Sequence, residues 1–410
     1  MTARHLLPLA LLLAACSGGG DAAPGTGSDG ADAPVMSDAA ALHDRIMTLD
    51  THIDIPLTYM TEIDPSGPTD LQVDLPKLEQ GRLDGGFWIM YTPQGELTAE
   101  GYTAGLAIAE TRLNAIRSLI KENGNEVEHA RTADDVRRII GEGRHAVLIG
   151  MENAYPMGEN IALVSALRGA GVRYVGLTHF GHNQFGDSSN PNPARDDGPR
   201  HNGLSELGRQ LVAALNDAGI MVDVSHAGKA TMMQAADLSR SPIIASHSGV
   251  KAVADTERNL DDEQLRKIAE VGGVAQMVAL GVYVKLPTAE QQAARDALDA
   301  EFGDRSTWDQ AKRDLYGERR AAITAMAPEA TVSDFVDHID HAVAVAGIDH
   351  VGIASDFDGG GGIDGWRDAS ETQAVTDELI ARGYTESQIA KIWGGNLLRV
   401  MEATEAAAIP

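Results

Sequence analysis

The chain has 410 residues, 43% hydrophobic and 23% charged, the balance of a soluble globular protein that buries an ample core without disulfides. Its 33 Lys and Arg face 60 Asp and Glu, a net charge of −27, and aromatics are only 4%; polyanions are repelled and stacking surfaces are scarce, so nucleic acid is excluded as a partner. The lone cysteine, Cys16, excludes an internal disulfide and any Cys-rich metal site, so a metal here must be held by histidines and carboxylates.

Arg4 and His5 precede an apolar run, Leu6 to Ala15, that is too short to span a bilayer and reads as a secretory leader. Its end, Leu13-Ala14-Ala15-Cys16, resembles a bacterial lipobox. That resemblance implies cleavage before Cys16 and lipidation of Cys16. With Ser17 next, it implies an envelope protein anchored by lipid in the outer membrane and facing the periplasm. Residues 17–41 are Gly, Ala, Ser, Asp and Pro with little apolar content, a flexible tether. The chain thus divides into a leader (1–15), a lipidated tether (16–41) and one folded domain (42–410).

Within that domain, apolar runs alternate with helical patterns. Strands are expected at Ile46–Ile55, Leu83–Tyr91, Ala146–Glu152, Arg173–His179, Ile220–His226, Pro242–His247, Gly273–Leu280 and His350–Phe357. Most are continuously apolar, as parallel strands buried on both faces must be. Helices are expected at Thr103–Asn123, at Gly203–Ala218, where Leu204, Leu207, Leu211 and Leu215 share a face, and at Asp261–Val271. Eight such units predict an α/β fold, a (β/α)8 TIM barrel with its active site at the C-terminal strand ends. An open doubly wound sheet would want a Gly-rich phosphate turn after the first strand, which instead ends in His52-Ile53-Asp54. Gly359–Gly362 lacks the Gly-Lys-Ser/Thr of a phosphate loop and reads as a flexible turn.

Six of the eight strands end in an imidazole or a carboxylate. His52 and Asp54 close the first, Glu152 the third, His179 the fourth, His226 the fifth, His247 the sixth, and Asp356 with Asp358 the eighth. Residues i and i+2 of a strand point the same way, so His52 and Asp54 can grip one ion together. A barrel gathers all these ends, and four imidazoles with three carboxylates, one from each of the first, third and eighth strands, suit a binuclear metal site. The donor set suits Zn²⁺, and Mn²⁺, Co²⁺ or Fe²⁺ also fit.

The motifs DTHIDIP (50–56), GMENA (150–154), LTHFGHNQFGDS (177–188), GLSELGRQLVAALNDAGIMVDVSH (203–226), SPIIASHSGV (241–250), ERNLDD (257–262), SDFDG (355–359) and GGNLLRV (394–400) resemble, in order, those of the membrane dipeptidase (renal dipeptidase-like) family. These are binuclear zinc peptidases of the amidohydrolase-type barrels, and the likeness spans about residues 42–402. It implies two Zn²⁺, with His52 and Asp54 on one, His226 and His247 on the other and Glu152 bridging. It implies that His179 does not ligate but polarises the scissile carbonyl, that Arg258 clamps the C-terminal carboxylate of a dipeptide, and that Asp356 moves protons. Tyr283 is implied to touch substrate, and Asn396 matches a family position of unspecified role. The family accepts a D-residue at the C-terminal position.

Other readings of single residues exist. Arg258 could pair with Glu257, Asp261 or Asp262 at the surface, and Asp356 could cap a helix with Asp358 the active carboxylate. His182, in the loop after the fourth strand, is the unassigned histidine nearest the constellation. Another amidohydrolase-type hydrolase would favour His-x-His on the first strand, and an inactive binding lipoprotein would have lost Asp356 or a ligand; neither pattern is present. The chain departs from the family over 286–326, a charged helical insertion expected on the active-site face as a lid or as a contact in a homodimer.

Overall fold

The computed structural model describes residues 39–193, 195–303 and 308–409. The leader, Cys16 and nearly all of the tether lie outside the described residues. Leu42, in the first helix Ala39–His43, is already fully buried, so the core begins where the apolar pattern begins.

Nine parallel strands form one sheet: β1 (Leu49–Ile53), β2 (Gly85–Tyr91), β3 (Val127–His129), β4 (His145–Glu152), β5 (Val172–Gly176), β6 (Met221–Asp223), β7 (Ile244–Ser248), β8 (Val274–Val278) and β9 (Val351–Ala354). Eight of them run in the order β1-β2-β4-β5-β6-β7-β8-β9, and β3 is a short addition beside β4. The ring closes between β1 and β9, where Asp54 N donates to Phe357 O (2.9 Å) and Asp356 N donates to His52 O (3.1 Å). The fold is a (β/α)8 TIM barrel.

All eight expected strands are present, most of them shorter than their apolar runs. β5 stops at Gly176, which leaves His179 in the loop beyond it. The helices follow their patterns with shifted ends, and Leu204 falls before the helix whose face it is expected to share. Glu206–Ala218 starts at Ser205, whose side chain accepts from Gly208 N, and ends at Gly219 in the left-handed conformation. It buries Leu211, Val212 and Leu215, and each such apolar side chain contributes about 1.5–3 kcal/mol. Asp261 caps Asp262–Glu270 in a capping box with Gln264.

The 286–326 segment holds two helices, Ala289–Phe302 and Gln310–Thr324. They carry their own apolar cluster of Leu298, Phe302, Trp308 and Tyr316, apart from the barrel core. Gln291 ties them together, its Nε2 donating to Ile323 O (3.2 Å) and Thr324 O (3.0 Å). No helix among the described residues is long and apolar enough to cross a membrane.

Candidate active site

The strand ends converge as the sequence predicts, and Glu152 stands at the centre. Its Oε2 lies 3.7 Å from His52 Nε2, while its Oε1 lies 3.0 Å from His226 Nε2 and 3.3 Å from His247 Nε2. His52 Nε2 also faces Asp54 Oδ2 at 3.4 Å and Asp356 Oδ1 at 3.8 Å. His179 Nε2 lies 3.8 Å from Glu152 Oε1, with its ring packed on Tyr91, Phe180 and His226. Three overlapping groups, His52–Glu152–His247, Glu152–His179–His226 and His52–Asp54–Asp356, each bring their ligand atoms within 4.8 Å of one another.

The surroundings set the imidazole tautomers. Tyr174 donates its hydroxyl proton to Thr51 O (3.1 Å), so it accepts from His52 Nδ1 (3.0 Å), and the lone pair of His52 is left on Nε2. Ser246 Oγ donates to Asp223 Oδ2 (2.8 Å), so it accepts from His247 Nδ1 (2.9 Å), and His247 likewise turns a bare Nε2 inward. Gly150 makes room for the first relay: a Cβ there would lie 2.4 Å from the Tyr174 ring.

These orientations test whether a cation fits. His52 Nε2 is buried without a hydrogen bond among three carboxylates. The Nε2 atoms of His226 and His247 face each other at 2.9 Å. In the metal-free protein a proton between His226 and His247, and one that Glu152 and Asp54 hold on His52 against its burial, supply the positive charge that these converging groups call for; a divalent ion can take that place, so the donor set fits divalent ions. Burial, with the nearby Arg258, holds His226 and His247 well below the usual imidazole range, in the neutral form that ligates. Burial opposes ionisation of Glu152, but His179, His52 and its contacts with His226 and His247 hold it well below the usual carboxylate range. In the metal-free protein, burial and then the Asp54 and Glu152 carboxylates push Asp356 up to about 8, against the opposing pull of His52.

Left-handed backbone gathers here. Asn153, His226, Asp356 and Asp358 all have φ between 60° and 72°, uncommon outside glycine, best tolerated by Asn, Asp and His, and frequent at functional sites. The left-handed turn separates two carboxylates expected to point together. Asp356 faces the cluster, whereas Asp358 turns away and accepts from Gln72 N (2.9 Å) and Val73 N (3.3 Å). Strand alternation fails because β9 ends at Ala354, before either residue.

Arg258 is buried at the rim. Nη1 donates to Ser248 Oγ (2.7 Å), Nη2 donates to His247 O, and Nε has no partner. The surface pairing does not occur: Glu257 pairs with Lys251, Asp261 with Lys229, and Asp262 with Arg266 and His341. Tyr283 lies past β8 in a short helix, Gly281–Val284, with the Arg258 guanidinium 5.5 Å from its ring centre. His182 and Asn396 are structural: His182 Nδ1 accepts from Ser188 N (2.9 Å), and Asn396 Nδ2 donates to Ile348 O (2.7 Å) and Val351 O (2.8 Å).

A parallel barrel with imidazoles and carboxylates gathered at its C-terminal rim defines a metal-dependent hydrolase. The profile of the membrane dipeptidase family (peptidase family M19) matches residues 36–409, and the chain belongs to that family. It is a dipeptidase-type metallopeptidase. It is similar to dipeptidase verJ of Clonostachys rogersoniana, 29% identical over 399 residues that cover 91% of this chain and 90% of that protein. Among solved structures it resembles the probable dipeptidase PvdM from Pseudomonas aeruginosa, at 37% identity and TM-score 0.82 over 90% of this chain and 98% of that one. It also resembles dipeptidase AC, a metallo peptidase, at 25% identity and TM-score 0.70 over 88% of this chain and 98% of that one.

Proposed function

We propose that this enzyme hydrolyses dipeptides at a centre of two divalent ions, zinc foremost, and accepts a D-residue at the C-terminal position. The observation that carries the two-ion reading is the division of Glu152, whose two oxygens face different donor sets. His52 and Asp54 would hold one ion, His226 and His247 the other, and Glu152 would join them. Such an ion pair supplies a water activated at neutral pH and a positive field for the developing oxyanion.

The chain's own residues do the rest. Arg258 offers a planar fork to the free C-terminal carboxylate, and no carboxylate among the described residues forms an ion pair with it. It reads the carboxylate and not the substituent on Cα, which supports tolerance of a D-residue. His179, packed on Tyr91 and Phe180 at the edge of the cluster, would donate to the scissile carbonyl. Asp356 accepts a proton from the attacking water and returns it to the leaving amine. Tyr283 flanks Arg258 and closes the carboxylate pocket.

The lipobox-like end of the leader supports a lipid anchor on Cys16 and a place in the bacterial outer membrane facing the periplasm. Metal analysis with a dipeptide panel tests the catalytic reading. Wild-type protein is expected to carry two ions per chain and to cleave L-Xaa-D-Xaa as well as L-Xaa-L-Xaa. Glu152→Ala is expected to lose at least one ion; two ions retained tightly in that variant overturn the bridging role.

A further inference from the structure

We propose that the cavity between the helical hairpin and the barrel is a binding site for a small organic carboxylate with an apolar body. The cavity holds about 450 Å³, in the range of small-molecule sites, and none of the clustered catalytic residues lines it. It lies between the hairpin, the segment after β8 and the glycine turn 360–362. Gly359, next in the chain, backs onto Asp54 and Asp356 on the other side of that turn.

Two arginines point to the ligand. Arg295 is only 9% exposed, yet it makes no hydrogen bond or ion pair to any described residue, and its Nε is buried without a partner. By contrast the half-buried Arg399 gives its Nη atoms to Gly272 O, Gly273 O and Asp349 O, and buried Arg173 gives its protons to three carbonyls. Arg320, also on the cavity wall, has only a 3.4 Å contact with Tyr316 Oη. Arg295 and Arg320 are near enough to repel each other's charge. The other cations of the wall are neutralised, Lys285 by Asp334, and Arg367 by Glu329 and Asp364. Asp299, one turn along the helix from Arg295, acts on its charge but accepts from Tyr316 Oη, and Glu329 on the cavity wall pairs with Arg367, so among the described residues Arg295 and Arg320 face the cavity without an ion pair of their own.

The rest of the wall selects what carries the anion. Val282, Leu286, Pro287, Ala330 and Ile363 offer apolar surface, and Leu286 is 47% exposed. Guanidinium planes match a carboxylate edge to edge, and the apolar wall takes a hydrocarbon body that inorganic phosphate lacks.

Titration calorimetry on the full-length metal-loaded protein tests this, with hexanoate and inorganic phosphate as probes. Arg258→Met removes the carboxylate clamp of the catalytic centre, and the further Arg295→Met change separates binding at the cavity from any binding at the ions. Hexanoate is expected to bind the Arg258→Met protein saturably in the millimolar range or tighter, and more tightly than phosphate. Adding Arg295→Met is expected to weaken hexanoate at least tenfold while leaving Tm unchanged or raised, because a structural arginine would lower Tm on removal. Should Arg295→Met fail to fold, Arg320→Met, on a half-exposed site, is expected to weaken hexanoate severalfold. The proposal is overturned by unchanged affinity in a folded arginine variant, by phosphate binding as well as hexanoate, or by no saturable hexanoate binding to Arg258→Met.

Discussion

Tyr174 reaches across the barrel interior from β5 to hold His52 on β1, its oxygen 3.0 Å from His52 Nδ1. The tyrosine never faces the reacting atoms. It fixes which imidazole nitrogen turns toward the carboxylates, and therefore whether one metal position has its nitrogen ligand in the ligating form. Tyr174→Phe keeps the ring that packs 4.7 Å from Phe87 and removes only the hydroxyl. Metal affinity is expected to fall about 10–100-fold, the usual effect of deleting such a partner. Competition with a chelator measures it, and unchanged affinity would sink the relay.

Asp356 separates chemistry from metal binding. Asp356→Asn is expected to keep close to two ions per chain and to bind dipeptide normally, while kcat falls roughly 10²–10⁴-fold. Asp358→Asn is the control, because Asp358 holds backbone amides at residues 72 and 73. It is expected to lower Tm with little effect on kcat. The reverse pattern would move the proton-transfer role to Asp358.

Arg258 is expected to select a free C-terminal carboxylate. A dipeptide amide should lose about 2–4 kcal/mol in kcat/KM relative to the acid, through an unpaired buried charge. Arg258→Ala should cleave acid and amide about equally poorly. Equal cleavage of both by the wild type would place the clamp elsewhere.

The proposed lipid anchor rests on Cys16. In Cys16→Ser, lipid labelling should vanish and the leader should remain uncleaved by the lipoprotein peptidase. Unaltered processing and membrane retention of that variant would falsify the lipobox reading.

Acid stability has its own marker in His129. Burial, then the neighbouring Arg131, lowers its pKa from 6.5 to about 4, and its Nε2 is buried with no partner. The folded state therefore binds the proton less readily than the unfolded chain. Stability is fully present above pH 6.5 and declines as pH falls toward 4. One such group adds at most about 1.4 kcal/mol per pH unit, less any solvent screening. His129→Phe keeps a ring and cannot titrate, so denaturant midpoints between those pH values should fall less steeply than in the wild type. Parallel slopes would show that His129 is protonated in the native protein.

The polar strand ends were legible because each is a local event. An apolar run that stops at His52-Ile53-Asp54 or at Glu152 announces itself within a few residues, and the barrel does the gathering. The supporting relays were not legible. Tyr174 reads as one more core aromatic of β5, and its role exists only because Gly150, on the neighbouring strand, leaves space for the ring. Ser246 and Asp223 become partners only when β6 and β7 lie side by side. Asp358 misled because period-two reasoning requires a strand, and the chain has already turned into the left-handed region there. The three residues of β3 are too few for any pattern to register.

The seam that closes the barrel is written in the amides of Asp54 and Asp356. Asp54 N and Asp356 N are the donors that join β1 to β9, while their side chains face the metal-binding space. Hydrogen exchange at these two amides therefore reports ring closure and site integrity at once. A variant that loosens the seam changes the distance between Asp356 and His52 before it exposes any core residue. If this seam opens before the rest of the barrel, loss of activity on mild heating is expected to precede loss of helical signal.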